Sequence, residues 1–374
     1  MVSLVLFISH FRVVDEVIAL DFFSKVSEVR SRSKSSDTSS LMLPCPDSPR
    51  LSLVEETSRF WNQSIVLAGL TGENIRIPSS NPRNYFQAIT DPAGCESVVV
   101  DGKLFIPEAR KPLPLVLIVP GSLGLGDNHI AHAETLINAG FATFLLDPFG
   151  SRAIQSTVSN QTPYSFAASA FDVLASLALL AQHENIDPKR ISAQGHSRGG
   201  SAVLTAAVRS FATPIVGDDV ALAGVYAAYP WCGHQFIRPE MGSTLVRAIV
   251  GEKDDWLSIQ QVQSQVHAIQ LLDGTASLRI VDGAAHSFDR TNVVSEIPEA
   301  SVAPSAPTVY LTGNGAMINP RTGQADTNLT DRELFLAAVK AGFGRRGAHL
   351  GGKHGQPEVF KQDMLAFHSS VGHP

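Results

Sequence analysis

Apolar runs alternating with stretches of helical spacing predict repeated strand–helix units from about residue 95 to 290. Leu115–Val119 is apolar at every position, as a strand covered on both faces should be, and Ala142–Leu146 is nearly so. Between them, Asp127–Ala139 has helical spacing and is followed by Gly140, a glycine placed to end a helix. Ser165–Gln182 reads as a long Ala- and Leu-rich helix, and Asp187-Pro188 then punctuates the chain. Ile191–Gln194 leads as a strand into a glycine-rich turn, with a helix over Ser201–Arg209. Leu222–Tyr229, Thr244–Val250 and Ser277–Val281 are further strands, with a helix over Leu257–Leu272. Ser97–Ile106 predicts a hairpin turning at Asp101-Gly102. The sum is an α/β fold with a mostly parallel central sheet and helices on both faces.

The ends break this pattern. Residues 1–55 hold one helix-like stretch, Val13–Val29, and then a Ser/Arg/Lys/Asp run from Arg30 to Ser40 with almost nothing to bury, extended by Pro44, Pro46 and Pro49. That composition predicts a low-complexity, poorly ordered extension ahead of a single domain at 56–372. Within the domain, residues 290–355 are long for a loop and carry a helix at Asp331–Ala341, which suggests a cap or rim.

Composition narrows the classes. The 374 residues are 44% hydrophobic and 17% charged, with a net charge of −6, so nothing marks a nucleic-acid partner. Three scattered cysteines form neither a disulfide framework nor a metal pattern. Met1–Phe11 is apolar without a basic lead, and no run is long enough to span a bilayer. The expectation is a soluble, cytoplasmic protein.

The candidate chemistry sits at strand ends. Gly195-His-Ser-Arg-Gly199 is a Gly-x-Ser-x-Gly turn between a strand and a helix, which lifts a serine hydroxyl out of the sheet beside a helix N-terminus. Ser197 is therefore the candidate nucleophile, and a serine needs a base held by a carboxylate. His286 follows the strand 277–281. Gly251-Glu-Lys-Asp-Asp255 follows the strand 244–250, with Asp254 preferred over Asp255 as the acid and Glu252 the weakest of the three. An oxyanion needs main-chain donors, and these are assigned to Ser122, in the glycine-rich loop Pro120–Gly126, and to Arg198; Leu123 is the alternative to Ser122.

Together Val119-Pro-Gly-Ser-Leu-Gly-Leu125, Leu146-Asp-Pro-Phe-Gly-Ser-Arg152, Gly195-His-Ser-Arg-Gly-Gly200, Gly251-Glu-Lys-Asp-Asp-Trp256 and Ala285-His-Ser-Phe-Asp289 resemble the dienelactone hydrolase branch of the α/β-hydrolases. The likeness spans roughly residues 95–290, and a final helix at about 357–370 is similar too. It implies the α/β-hydrolase fold, a nucleophile–acid–base triad, no cofactor, and a small-molecule ester or lactone as substrate. Dienelactone hydrolases proper use a cysteine nucleophile where this chain has Ser197, which favours a broader ester hydrolase.

Several residues compete for lesser roles. His129 and His132 lie three apart on a helix without a third ligand pattern, so no metal is assigned, and His129 is placed near the pocket mouth. Trp231 and His234 are candidates for the acyl pocket, and Cys232 reads as a small buried hydrophobe. The Arg198 guanidinium could pair with a substrate carboxylate or form a salt bridge to a neighbouring helix. A thioesterase, acyltransferase or peptidase could use the same three side chains, and a binding protein could keep the fold without turnover.

Overall fold

The computed structural model describes residues 60–372, so the predicted extension at 1–55, including its helix at Val13–Val29, lies outside the described residues. After a small ribbon of β1 (Val66–Leu67) and β2 (Leu70–Thr71), the chain builds one eight-stranded sheet. Its strands are β3 (Glu73–Asn81), β4 (Glu96–Phe105), β5 (Leu113–Val119), β6 (Ala142–Asp147), β7 (Ile186–His196), β8 (Gly224–Ala228), β10 (Leu245–Gly251) and β11 (Ala276–Val281); the short β9 (His234–Phe236) lies outside it. They run in the order β11-β10-β8-β7-β5-β6-β4-β3. From β6 to β11 every pair is parallel, while β4 runs antiparallel to both neighbours.

Eight helices accompany the described strands: α1 (Tyr85–Thr90), α2 (Asp127–Asn138), α3 (Phe166–Leu180), α4 (Arg198–Ala207), α5 (Arg209–Val216), α6 (Ile259–Gln270), α7 (Asp331–Lys340) and α8 (Gln356–Gly372). Local chemistry sets several of their ends. Ser165 Oγ accepts the Ala168 N–H at the start of α3, Ser258 does the same for α6, and Gly140 follows α2 at φ +89°. None of these helices is long and apolar enough to cross a membrane.

Strand β7 shows how both faces are covered. Ser192 and Gln194 point to α8, where Ser192 Oγ–H donates to His368 Nδ1 (2.9 Å) and His368 Nε2–H donates to Gln194 Oε1 (3.1 Å). Gly195, the residue after Gln194, faces α4, where a Cβ would stand 2.1 Å from Gly199 O. Leu115–Ile118 and Leu145–Leu146, fully buried, form the core between the two helix layers.

Two predicted elements differ. Ser97–Ile106 is not a hairpin: Asp101 and Gly102 lie in the middle of β4, paired with Arg76 and Ile75 on one side and with Asp147 and Leu146 on the other. Gly102 is there for packing, because a Cβ would come within 2.1 Å of the Phe144 ring. The helix predicted over Ser201–Arg209 starts earlier, at Arg198, and breaks at Val208, whose ψ of 120° leaves the helical region.

Residues 290–355 are folded. β12 (Ser295–Val302) pairs antiparallel with β16 (Arg345–Leu350), and β13 (Val309–Leu311), β14 (Met317–Ile318) and β15 (Ala325–Asp326) form a small sheet with β9. Strand β16 is tied to the main body where Gly351 N–H donates to His286 O (2.9 Å) and Leu350 bridges His286.

Candidate active site

Ser197 stands between β7 and α4 with φ +54° and ψ −115°, a strained conformation for a residue with a side chain. Its N–H donates to Ala228 O (2.9 Å), fastening the turn to the end of β8. Gly199 lets α4 approach β5, since a Cβ there would lie 2.4 Å from Val119 O. The turn thus holds the Ser197 side chain above the carboxyl ends of the parallel strands.

The loops after β10 and β11 bring two more candidates to the same point. His286 Nε2 lies 3.0 Å from Ser197 Oγ, and His286 Nδ1 lies 2.7 Å from Asp254 Oδ2. Asp254 Oδ1 accepts the Trp256 N–H at 3.0 Å, so both carboxylate oxygens are used. An ionised carboxylate only accepts, so Nδ1 carries the proton towards Asp254 and Nε2 is free to accept from the serine. The Trp256 indole stacks on the imidazole (5.1 Å, 17°), and the Tyr229 ring meets it edge-on at 4.7 Å. Asp255, the alternative acid, turns away to His349, whose Nδ1 lies 2.9 Å from its carboxylate. Glu252 accepts from Gly283 N and Lys253 at the surface.

The residues named as oxyanion donors, Ser122 and Arg198, line the same cavity as Ser197 and His286. Arg198 opens α4, where an N–H has no intrahelical acceptor, and Ser122 N–H has no backbone partner among the described residues. Leu123 is half-exposed and borders a smaller cavity that Ser122, Ser197 and His286 also line. Gln161, which the sequence did not single out, ties the two donor loops together. Its Oε1 accepts from Ser122 Oγ (3.2 Å) and Arg198 Nη1 (2.9 Å).

Arg198 forms no salt bridge among the described residues, neither to a carboxylate nor to the helix α3 that its guanidinium packs against at Phe166. Its guanidinium donates to Gln161 and to Tyr164 O and lies 4.1 Å over the Phe166 ring. The cavity above Ser197, about 150 Å³, is walled mainly by apolar groups. Phe166, Trp231, Trp256 and Leu257 come from the main body, while Val302, Leu334 and Phe335 come from the 290–355 segment. Trp231 and His234 also line this cavity, and Trp231 stacks on Phe166 (4.4 Å). Cys232 is buried and unbonded, and burial pushes its thiol up.

His129 does not line that cavity but a smaller one that Ser197 and His286 also border. It is 2% exposed, its Nδ1 accepts the Gly126 N–H (3.0 Å) at the start of α2, and its ring meets His196 edge-on at 4.5 Å. It belongs to a buried polar cluster behind the turn, centred on Asp289. That carboxylate accepts from Tyr229 Oη (2.7 Å), Asn128 Nδ2 (2.8 Å) and His132 Nε2 (2.9 Å). Donor atoms of His132, His196 and Asp289 lie within 4.8 Å of one another, a set of types able to hold a metal. Their lone pairs are already engaged, however: His196 Nε2 faces the Gln194 amide at 3.3 Å, and Asp289 takes three donors. The cluster acts as a hydrogen-bond hub.

Burial pushes the His196 imidazole down to about 3 and His129 well below its usual range, so both are neutral. For Asp289 burial acts to raise the carboxyl, but the hydrogen bond and charge of His132, with His196 and Asn128, outweigh it and hold the group well below the carboxylate range. A depressed acid contributes stability above its unfolded value of about 3.9, and that contribution is lost as pH falls towards the folded value. The stability gap between wild type and Asp289→Asn is therefore expected to narrow from about pH 5 to pH 3. Urea unfolding of both proteins across that range measures it, and a gap that widens contradicts it.

A parallel sheet with one antiparallel strand towards its edge, a strained serine turn after β7, and acid- and histidine-bearing loops after β10 and β11 define an α/β-hydrolase. The dienelactone hydrolase family model matches residues 100–306, and the chain belongs to that family. It is a carboxylic ester hydrolase. No curated protein matches the chain. Among solved structures, a putative dienelactone hydrolase from Klebsiella pneumoniae is 16% identical, with 58% of this chain and 89% of that one covered and a TM-score of 0.41. A dienelactone hydrolase-like promiscuous phosphotriesterase from metagenomic libraries is also 16% identical, covering 73% and 99% with a TM-score of 0.41. An esterase from Pyrobaculum calidifontis is 14% identical, covering 60% and 79% with a TM-score of 0.43.

Proposed function

We propose that the chain cleaves a carboxylic ester or lactone through an acyl-enzyme formed on Ser197. His286 Nε2 takes the serine proton as Oγ attacks the carbonyl carbon, and the resulting imidazolium is stabilised by Asp254. The N–H groups of Ser122 and Arg198 hold the negative oxygen of the tetrahedral intermediate. His286 then protonates the leaving alkoxide. Water, activated by the same imidazole, releases the acid and restores the serine. The observation that carries this reading is the continuous contact from Ser197 Oγ through His286 to Asp254, at 3.0 and 2.7 Å.

The apolar cavity supports a substrate whose acyl or alkyl part is hydrophobic. With the Arg198 guanidinium committed to Gln161 and Tyr164, a substrate carboxylate gains little from it. A rim role for residues 290–355 is supported by Val302, Leu334 and Phe335, which help line this cavity. Buried free thiols at Cys95 and Cys232 support a reducing, cytoplasmic setting.

Short p-nitrophenyl esters test the reading. Turnover with an initial burst of nitrophenolate approaching one equivalent per enzyme is expected where deacylation is the slower step. No hydrolysis of any ester or lactone in a panel of graded acyl size would overturn it.

A further inference from the structure

The lining of the apolar cavity contains a polar pair that the proposed chemistry leaves unused. His234, at the start of β9, and Asp331, the first residue of α7, both line the cavity that holds Ser197. Their side chains are only 6% and 9% exposed, and His234 Nδ1 lies 3.8 Å from Asp331 Oδ1. That is too long for a hydrogen bond. Asp331 Oδ2 accepts the Phe166 N–H at 2.6 Å, whereas Oδ1 is buried without a partner. Leaving a buried carboxylate oxygen unpaired is costly and calls for a donor.

The imidazole is set to complement it. His234 Nδ1 lies 3.2 Å from Tyr85 Oη. Burial, reinforced by the charge of Asp331, keeps the Tyr85 phenol protonated, and burial holds His234 neutral. If Nδ1 carried the hydrogen, the buried phenol would have no acceptor. The phenol therefore donates to Nδ1, and the imidazole hydrogen resides on Nε2. No described residue accepts from that atom. The ring itself is held between Trp231 (4.8 Å) and Phe166 (5.7 Å).

We propose that His234 and Asp331 form a subsite for a hydroxyl group carried on the apolar portion of the substrate. The hydroxyl donates to Asp331 Oδ1 and accepts from His234 Nε2–H. A hydroxyl supplies both roles, whereas a carboxylate would set a second anion against Asp331 and an alkyl group would leave both partners unpaired. The subsite rests on the reading of Ser197 as nucleophile in the same cavity.

Two series of p-nitrophenyl esters test it: ω-hydroxyalkanoates, and the same chains with a methyl in place of the hydroxyl. The wild type is expected to favour the hydroxylated ester by about tenfold in kcat/KM at one chain length. His234→Phe should bring that ratio near one, and His234→Gln, which keeps an N–H donor, should restore part of it. Tyr85→Phe, by freeing the choice of nitrogen that carries the hydrogen, should lower it partially. A wild-type ratio near one at every length, or a ratio unchanged in His234→Phe, would overturn the subsite while leaving Ser197 as nucleophile if the methyl-ended esters are hydrolysed. Failure to hydrolyse either series would overturn both.

Discussion

Ser197→Ala is expected to lower kcat/KM for a short p-nitrophenyl ester by about 10⁵–10⁶-fold. Removing Oγ deletes the atom that would form the covalent bond, and of the hydroxyls lining the cavity only that of Ser197 contacts His286 among the described residues. His286 would still be held by Asp254 at 2.7 Å, and the main-chain donors at Ser122 and Arg198 would be intact. Those parts account for the residual rate over the uncatalysed reaction. The substitution also relieves little of the strained backbone, since alanine at φ +54° is no better placed than serine. The protein should therefore melt as the wild type does while losing turnover, and steady-state kinetics beside a thermal melt separate the two effects. Retention of more than a hundredth of the wild-type rate would show that the nucleophile lies elsewhere.

The second large effect distinguishes two adjacent acids. Asp254→Asn is expected to reduce kcat by about 10³–10⁴-fold, whereas Asp255→Asn should cost about tenfold or less. Asp254 accepts on both oxygens, from Trp256 N and from His286 Nδ1. An asparagine has one carbonyl oxygen, so whichever way it turns, its amide N–H₂ meets one of those two donors. If it faces His286, the imidazole shifts its hydrogen to Nε2 and loses the lone pair that should receive the serine proton. Asp255 instead holds His349 on β16, a partly exposed contact that steadies the loop from outside. Parallel kinetics on the two variants measure the contrast. Equal losses, or a larger loss at Asp255, would reverse the assignment of the acid.

Much of the scaffold is legible because its signals are local. The apolar run Leu115–Val119 needs no tertiary information to read as a buried strand, and Gly140 marks the end of α2 by its own backbone requirement. Ser197, Asp254 and His286 each stand just beyond a strand, so finding the strands places them at one edge of the sheet. The misread hairpin shows the limit. Asp101-Gly102 has the composition of a turn, but Gly102 is dictated by the Phe144 ring of a neighbouring strand more than forty residues away.

The cluster around Asp289 was illegible for the same reason. Its donors come from α2 and from Tyr229, and no spacing along the chain links them. The one local hint is its place three residues after His286. The position of His129 on a helix does not tell which way its ring points, and the ring turns back to cap that helix. This segment's share of the cavity lining could not be read because residues 290–355 carry short strands whose partners, β9 and one another, are set only by the fold. His234 was visible as a pocket residue, but its relation to Asp331, at the start of a helix about a hundred residues later, was not.

The central claim is that the strained residue between β7 and α4 is the group that attacks the substrate. A fluorophosphonate, which bonds covalently to an activated serine, tests it when labelled protein is digested and the modified peptide is sequenced by mass spectrometry. The account predicts one adduct per chain, located on Ser197 within the Gly195–Gly199 turn and absent from Ser197→Ala. An adduct on another residue, or equal labelling of the wild type and that variant, would contradict it.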